Sequence, residues 1–250
     1  MLVLCFFFAA CDNTPEPELI PAPIPSGPEA PRAIVLISID TLRADHLGAY
    51  GYERFTSPIL DEFARGGVVF EDVSSPSPWT LPSHTSMLTG LTPLSHGLVS
   101  AQRGLSVEVE TLAAWFNAAG WKTSAIVNTL FLRREQHGVT RDFEDYLAFK
   151  RSNYKRRGPS TLITDEAISR IEGQGDTPLL LFVHYYDVHA DYASLEAYEK
   201  LLVGPYSGQA DGSAWQLMRA NFDSKHIEGC LEDFHPDRCE YGSKEIPRRI

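Results

Sequence analysis

A threonine near a predicted helix start has a type and a setting that allow nucleophilic chemistry. Thr80 lies in the stretch SPSPWTLPSHTSMLTG (75–90), just before a helix that we expect to begin near Pro82 and Ser83. Unpaired N–H groups at a helix N-terminus attract anions, so a hydroxyl there is placed to attack a phosphorus or sulfur centre. Thr is also an ordinary helix cap, which explains the same residue without chemistry.

Further polar residues lie where buried strands are predicted to end. Asp40 follows the apolar run AIVLISI (33–39), and a carboxylate there suits a divalent metal ion, although Asp is also a common turn former. His184 and His189 lie in and just after the apolar run PLLLFVHYY (178–186). Because ligands gather at the carboxyl ends of parallel strands, these side chains are candidates for one site.

Alternating strands and helices are predicted to position these residues. Ser57 and Pro58 indicate a helix start and Gly66 its end. The other expected elements are strands at 33–39, 67–73 (GVVFEDV), 122–127 (KTSAIV) and 178–186, and helices within 107–120 (VEVETLAAWFNAAG) and 161–173 (TLITDEAISRIEG). This order predicts an α/β fold with a largely parallel central sheet.

Composition excludes one class of partner. The 250 residues are 43% hydrophobic and carry a formal net charge of −11. The only short basic run, within 150–157, is interpreted as a solvated loop, so no nucleic-acid partner is expected. An acidic protein still binds anionic substrates when a bound metal supplies local positive charge.

The N-terminal sequence predicts export and a lipid anchor. Residues 1–11 (MLVLCFFFAAC) are too short to span a membrane, and FAAC resembles a bacterial lipobox in which Cys11 is lipidated, although no Lys or Arg precedes it. Residues 12–32 contain seven prolines and are predicted to be an extended linker. Asp12 resembles an inner-membrane retention signal. We therefore expect a membrane-anchored lipoprotein facing the periplasm, with its folded domain at 33–250.

Two later cysteines are consistent with an exported location. Cys230 and Cys239 are close enough in sequence to pair in an oxidising compartment. A zinc site is the alternative, but the segment lacks a second Cys pair or clear His spacing. A disulfide is favoured.

Four strings together resemble the sulfatase family of the alkaline phosphatase superfamily. TLPSHTSMLTG (80–90) is similar to the signature C/S-x-P-S-R-x-x-L-x-T-G, and AIVLISIDTLRADHLGAYG (33–51) to the opening strand and first metal motif. LTPLSHG (91–97) and LLLFVHYYDVHADY (179–192) resemble two further family segments. The resemblance covers roughly residues 33–192 and implies a three-layer sandwich with a largely parallel central sheet.

Several residues depart from the sulfatase pattern. Thr80 replaces the Cys or Ser that becomes formylglycine, which resembles the phosphodiesterase and phospholipid-headgroup transferase branches instead. His84 replaces the signature Arg, and Thr41 stands where a second Asp often follows Asp40. Asn128 ends the string GWKTSAIVN, where the family usually has Lys. A strict arylsulfatase activity is therefore not expected.

The resemblance implies a set of roles. Thr80, His84 and His189 are the predicted catalytic residues, and Asp40 and Thr80 the predicted ligands of a divalent cation (Ca, Zn, Mg or Mn). His184 and Asn128 are predicted to bind the substrate, a sulfate or phosphate ester.

Part of the family pattern has no counterpart here. The Asp-His or Asp-Asn pair that completes the metal site in relatives is not found, since no DHG or DHN string follows residue 46. We therefore expect the C-terminal part of the fold to be missing. Three function classes stay open: a membrane-tethered ester hydrolase or transferase, a non-catalytic binding lipoprotein, and a structural envelope protein.

Overall fold

The computed structural model describes residues 32–149, 159–189, 198 and 201–202. Four strands form one sheet: β1 (Ala33–Ile39), β2 (Lys122–Val127), β3 (Asp145–Ala148) and β4 (Leu179–Tyr185). The helices are α1 (Pro58–Arg65), α2 (Thr80–Thr89), α3 (Pro93–His96), α4 (Leu112–Ala118), α5 (Arg134–His137) and α6 (Pro159–Glu172). No helix among these residues is long and apolar enough to cross a membrane.

The sheet is parallel in every pairing and has the strand order β1-β4-β2-β3. The last described strand therefore lies between the first and the second, with Ala33 paired to Leu179 and Ser38 to His184. The predicted parallel α/β fold is confirmed. Strand β4 is a nearly continuous apolar run because side chains on both of its faces are buried.

Alternation along β4 divides the core into two layers. Leu180 and Phe182 pack with Leu81 and Leu88 of α2 on one face. Leu179, Leu181 and Val183 pack with α6 on the opposite face, where Ile163 is fully buried. Each fully buried Leu contributes about 1.5–3 kcal/mol. The sheet thus forms the middle of three layers.

Most predicted elements agree with the structure, and one is wrong. Strand β2 has the predicted bounds, and helix α1 begins after Ser57 with Pro58 in its first turn. Residues 67–73 form no strand, and Val68 is 82% and Phe70 69% exposed. A segment of strand-like composition forms a strand only if a neighbouring strand pairs with it. No described strand pairs with residues 67–73.

Two helix starts differ from expectation. Helix α4 begins only at Leu112, where the side chain of Thr111 accepts a hydrogen bond from the Ala114 N–H. Helix α2 begins at Thr80, so Thr80 is its first residue rather than its cap. Pro82 in the third position is tolerated because its missing N–H would have no partner within the helix.

Candidate active site

Helix α2 and the ends of β1 and β4 bring the predicted site residues together on one face of the sheet. In β4, His184 continues the alternation of Leu180 and Phe182, so its ring points towards α2. Asp40 follows β1 and is anchored by its N–H, which donates to the Tyr185 carbonyl at 2.9 Å. Asp40 is only 7% and Thr80 5% exposed.

The centre of the site is a hydrogen bond between Thr80 and Asp40. Thr80 Oγ1 donates to Asp40 Oδ2 at 2.8 Å. Burial tends to raise the pKa of Asp40, but the contacts with His184 and Thr80 outweigh burial and place the pKa below its ordinary value of 3.8. Asp40 is therefore a carboxylate at neutral pH, and it fixes the direction of the Thr80 hydroxyl.

His184 joins the site from within the sheet. It is fully buried, and its Nδ1 lies 3.0 Å from Asn128 Oδ1, just after β2. Its Nε2 lies 3.4 Å from Asp40 Oδ2 and has no hydrogen-bond partner among the described residues. Full burial of the ring favours a role inside the site over contact with a substrate.

His84 connects helix α2 to strand β1. Its Nδ1 lies 2.8 Å from the Thr80 carbonyl, which can only accept, and its Nε2 lies 2.8 Å from Ser38 Oγ. The ring therefore donates from Nδ1 and accepts at Nε2 in its neutral form. Burial and the neighbouring His184 lower the pKa of His84, which favours that form. This geometry indicates a positioning role and leaves the predicted catalytic role of His84 a prediction.

Ser38 is a site residue that the sequence reasoning missed. It precedes Asp40 by two positions, so both side chains point to the same face of the sheet. The spacing of two residues from Asp40 could have indicated Ser38. The sequence of β1 does not show, however, that Ser38 would bond His84 on α2.

A strained residue follows Asp40. Thr41 has φ of 59°, in the left-handed region, which is costly for a β-branched residue. Its Oγ1 donates to the Val188 carbonyl at 3.0 Å and so ties the turn after β1 to the segment that carries His189. His189 stacks on Tyr186, and its Nδ1 is buried without a hydrogen-bond partner in the described ranges.

The start of α2 has no side-chain cap. The first turn of a helix has N–H groups without partners inside the helix, and no side chain at Trp79 caps them. Thr80 therefore presents its hydroxyl beside the positive end of a ten-residue helix.

The described residues place few metal-binding side chains close together. No group of three or more His, Cys, Asp or Glu side chains that could hold a metal is found in the described part of the chain. The structure brings together five of the predicted site residues, namely Asp40, Thr80, His84, Asn128 and His184.

The predicted lipidation site Cys11 and the predicted Cys230–Cys239 disulfide lie outside the described residues.

The parallel three-layer fold, with this site at the carboxyl end of its sheet, matches known proteins. The family model "Sulfatase" matches residues 32–223, and the chain belongs to the sulfatase family. An arylsulfatase of Clostridium perfringens is 40% identical over 94 residues, which are 37% of this chain and 20% of that protein.

Two solved structures share the fold at lower identity. The C-terminal periplasmic domain of EcEptC from Escherichia coli, in complex with Zn, has a TM-score of 0.55 and 20% identity, covering 79% of this chain and 53% of that one. The soluble domain of lipooligosaccharide phosphoethanolamine transferase A from Neisseria meningitidis has a TM-score of 0.56 and 20% identity, covering 75% and 54%. These likenesses agree with the alkaline-phosphatase-like fold predicted from the sequence.

Proposed function

We propose that this chain is the nucleophile-bearing part of a metal-assisted hydrolase or transferase acting on phosphate or sulfate esters. The observation that carries the proposal is the 2.8 Å bond from Thr80 Oγ1 to the buried Asp40 carboxylate, at the uncapped N-terminus of α2. An ordinary helix cap would direct its side chain to the backbone of its own helix. Thr80 instead faces the sheet.

Two oxygen donors for a divalent cation lie at this point. Asp40 supplies an ionised oxygen and Thr80 a hydroxyl oxygen, which are donor types that hard and borderline cations accept. A bound cation lowers the pKa of a hydroxyl that it contacts and neutralises charge on the substrate. The identity of the cation is not fixed by these two oxygens.

The residues themselves carry the following steps. The free N–H groups of α2 bind the anionic oxygens of the ester. Thr80 Oγ1 forms a bond to phosphorus or sulfur, and its proton passes to Asp40 Oδ2, its hydrogen-bond acceptor. The bond to the leaving oxygen breaks, and that oxygen takes a proton from His189. Water or an acceptor alcohol then attacks the same centre and gives its proton to His189, while the bond to Thr80 Oγ1 breaks and that oxygen recovers its proton from Asp40 Oδ2.

Substrate choice follows from Thr80 and Asn128. A threonine cannot become the formylglycine of sulfatases, and Asn128 provides no cation where relatives have Lys. We therefore expect phosphomonoesters or phosphodiesters to be cleaved faster than aryl sulfates.

Nitrophenyl phosphate, bis-nitrophenyl phosphate and nitrophenyl sulfate, each assayed with added zinc, test this function. Thr80→Ala should lower turnover about 10³-fold or more. The matched control is Thr89→Ala in the same helix, whose hydroxyl bonds the Thr85 carbonyl and should be dispensable. Faster sulfate cleavage, or equal activity in Thr80→Ala, would contradict the proposal.

We further propose that Cys11 tethers the protein to a membrane through lipid. The support is the FAAC string followed by the proline-rich residues 12–32. Cys11→Ser should move the protein from the membrane to the soluble fraction, while Cys5→Ser should not. Identical fractionation of parent and Cys11→Ser would exclude the anchor.

A further inference from the structure

The turn after β1 holds a threonine in a strained conformation. Thr41 has φ of 59°, and every other positive φ among the described residues belongs to a glycine. The left-handed region is costly for a β-branched side chain, which keeps it only where surrounding contacts fix it. Residues strained in this way cluster at active sites, and Thr41 directly follows Asp40. The contacts of Thr41 therefore indicate what the strain achieves.

Two hydrogen bonds join this turn to the chain that leaves β4. The Asp40 N–H donates to the Tyr185 carbonyl at 2.9 Å. Thr41 Oγ1 donates to the Val188 carbonyl at 3.0 Å. The first bond continues the pairing of the two strands, whereas the second reaches three residues further along the chain. Thr41 therefore holds the segment after β4, beyond the point where strand pairing ends.

That segment is a short turn that ends in His189. The His189 N–H donates to the Tyr186 carbonyl at 3.1 Å, and the two rings stack with centroids 4.1 Å apart and 15° between their planes. From the side of α6, the Ser160 N–H donates to Asp187 Oδ1 at 3.4 Å. The turn is thus held by α6 on one side and by Thr41 on the side of the candidate site.

We propose that Thr41 is a positioning residue for His189. Its hydroxyl holds the turn of residues 186–189 so that the His189 ring reaches the leaving oxygen of the ester. The inference rests on the proposed function, in which His189 gives a proton to that oxygen. The strained backbone at Thr41 directs a hydroxyl to Val188 from the residue next to Asp40, so one turn positions both the base and the acid.

A displaced proton donor affects substrates unequally. General acid catalysis contributes about 10²–10⁴-fold, and displacement of a catalytic group by about 1 Å costs about 10²-fold. A nitrophenolate is stable as an anion and leaves with little help, whereas the more basic oxygen of phenyl phosphate needs the proton. Loss of the Thr41 hydroxyl should therefore slow the cleavage of phenyl phosphate much more than that of nitrophenyl phosphate.

The ratio of kcat/KM for phenyl phosphate to kcat/KM for nitrophenyl phosphate, with added zinc, measures this difference. In Thr41→Gly the ratio should fall about 10–100-fold, because glycine accepts the positive φ but has no hydroxyl. Thr41→Ser keeps the hydroxyl and should restore the parental ratio. The ratio is taken within one preparation, so a partly unfolded sample does not change it.

The matched control is Thr56→Gly. Thr56 Oγ1 also donates to a backbone carbonyl, that of His46 at 2.7 Å, and lies just before α1. Its ratio should equal that of the parent. A parental ratio in Thr41→Gly, or an equal fall in Thr41→Gly and Thr56→Gly, would overturn the assignment.

NMR of the histidine rings measures the position of His189 without any substrate. Because the ring stacks on Tyr186, its proton resonances depend on that geometry. They should shift in Thr41→Gly and stay at the parental values in Thr56→Gly, with His189→Gln used to assign them. Parental His189 resonances in Thr41→Gly would show that the hydroxyl does not hold the turn.

The two proposals fail separately. If Thr80→Ala abolishes ester cleavage but Thr41→Gly keeps the parental ratio, the role of Thr41 is wrong and the function stands. If no ester is cleaved but the His189 resonances shift in Thr41→Gly alone, the function is wrong and the positioning of His189 by Thr41 stands.

Discussion

Removal of the Ser38 hydroxyl should destabilise the protein measurably. In Ser38→Ala, His84 Nε2 loses its 2.8 Å hydrogen bond, and both residues are more than nine-tenths buried. A buried acceptor without a partner costs about 1–3 kcal/mol of unfolding free energy. For a chain of this size that corresponds to a fall in Tm of about 2–12 °C.

Urea unfolding followed by circular dichroism measures this change. The midpoint should fall with an unchanged m-value, since the surface exposed on unfolding stays the same. The matched control is Ser106→Ala on the exposed surface, which should stay within about 0.5 kcal/mol.

A double variant separates the hydrogen bond from other effects. If the cost arises from the unpaired acceptor, Ser38→Ala with His84→Leu should be less destabilised than the sum of the single variants. A loss for Ser38→Ala no larger than that of Ser106→Ala would show that the bond between β1 and α2 contributes nothing.

Two further predictions concern stability away from the site. Burial lowers the pKa of His96, whose ring contacts Ser86 Oγ and accepts a hydrogen bond from the Leu98 N–H. Below pH 6.5 the unfolded chain therefore binds a proton at His96 more readily than the folded protein does. The free energy of unfolding should consequently fall as the pH is lowered from 7 to 5. The urea midpoint measures this fall, which should be smaller in His96→Gln. In Gly48→Ala the new Cβ would lie 2.4 Å from Asp61 Oδ2, so we expect a loss of about 1–3 kcal/mol in the same assay. Gly66→Ala, with 3.6 Å of clearance, should be harmless, and an equal loss in both would refute the clash.

The elements that the sequence predicted are those with strong local signals. Strands β1, β2 and β4 are apolar runs bounded by breakers, and α1 has Ser57, Pro58 and Gly66 at its ends. Strand β3 and the four-residue helices α3 and α5 were missed because they are too short for a periodic pattern. Residues 67–73 have a strand-like composition, and only tertiary pairing decides against a strand there.

The site was predictable in its residues more than in its contacts. Asp40, Thr80 and His184 were singled out because strand ends and helix starts have recognisable signals. Their hydrogen bonds follow from the strand order β1-β4-β2-β3, which no local pattern reveals. Ser38 contacts His84 on α2, and Thr41 donates a hydrogen bond to the Val188 carbonyl. Neither contact can be predicted from the sequence around Ser38 and Thr41.

The strand order also constrains when the site can form. In the described sheet β1 pairs only with β4, and almost all of the described chain lies between them. During synthesis, β1 cannot pair until β4 has emerged and inserted beside it. Pairing of strands so far apart in sequence is slow. Asp40 meets His184 only at that moment. A chain interrupted before β4 therefore lacks the hydrogen bond from the Asp40 N–H to the Tyr185 carbonyl, which holds the carboxylate beside Thr80.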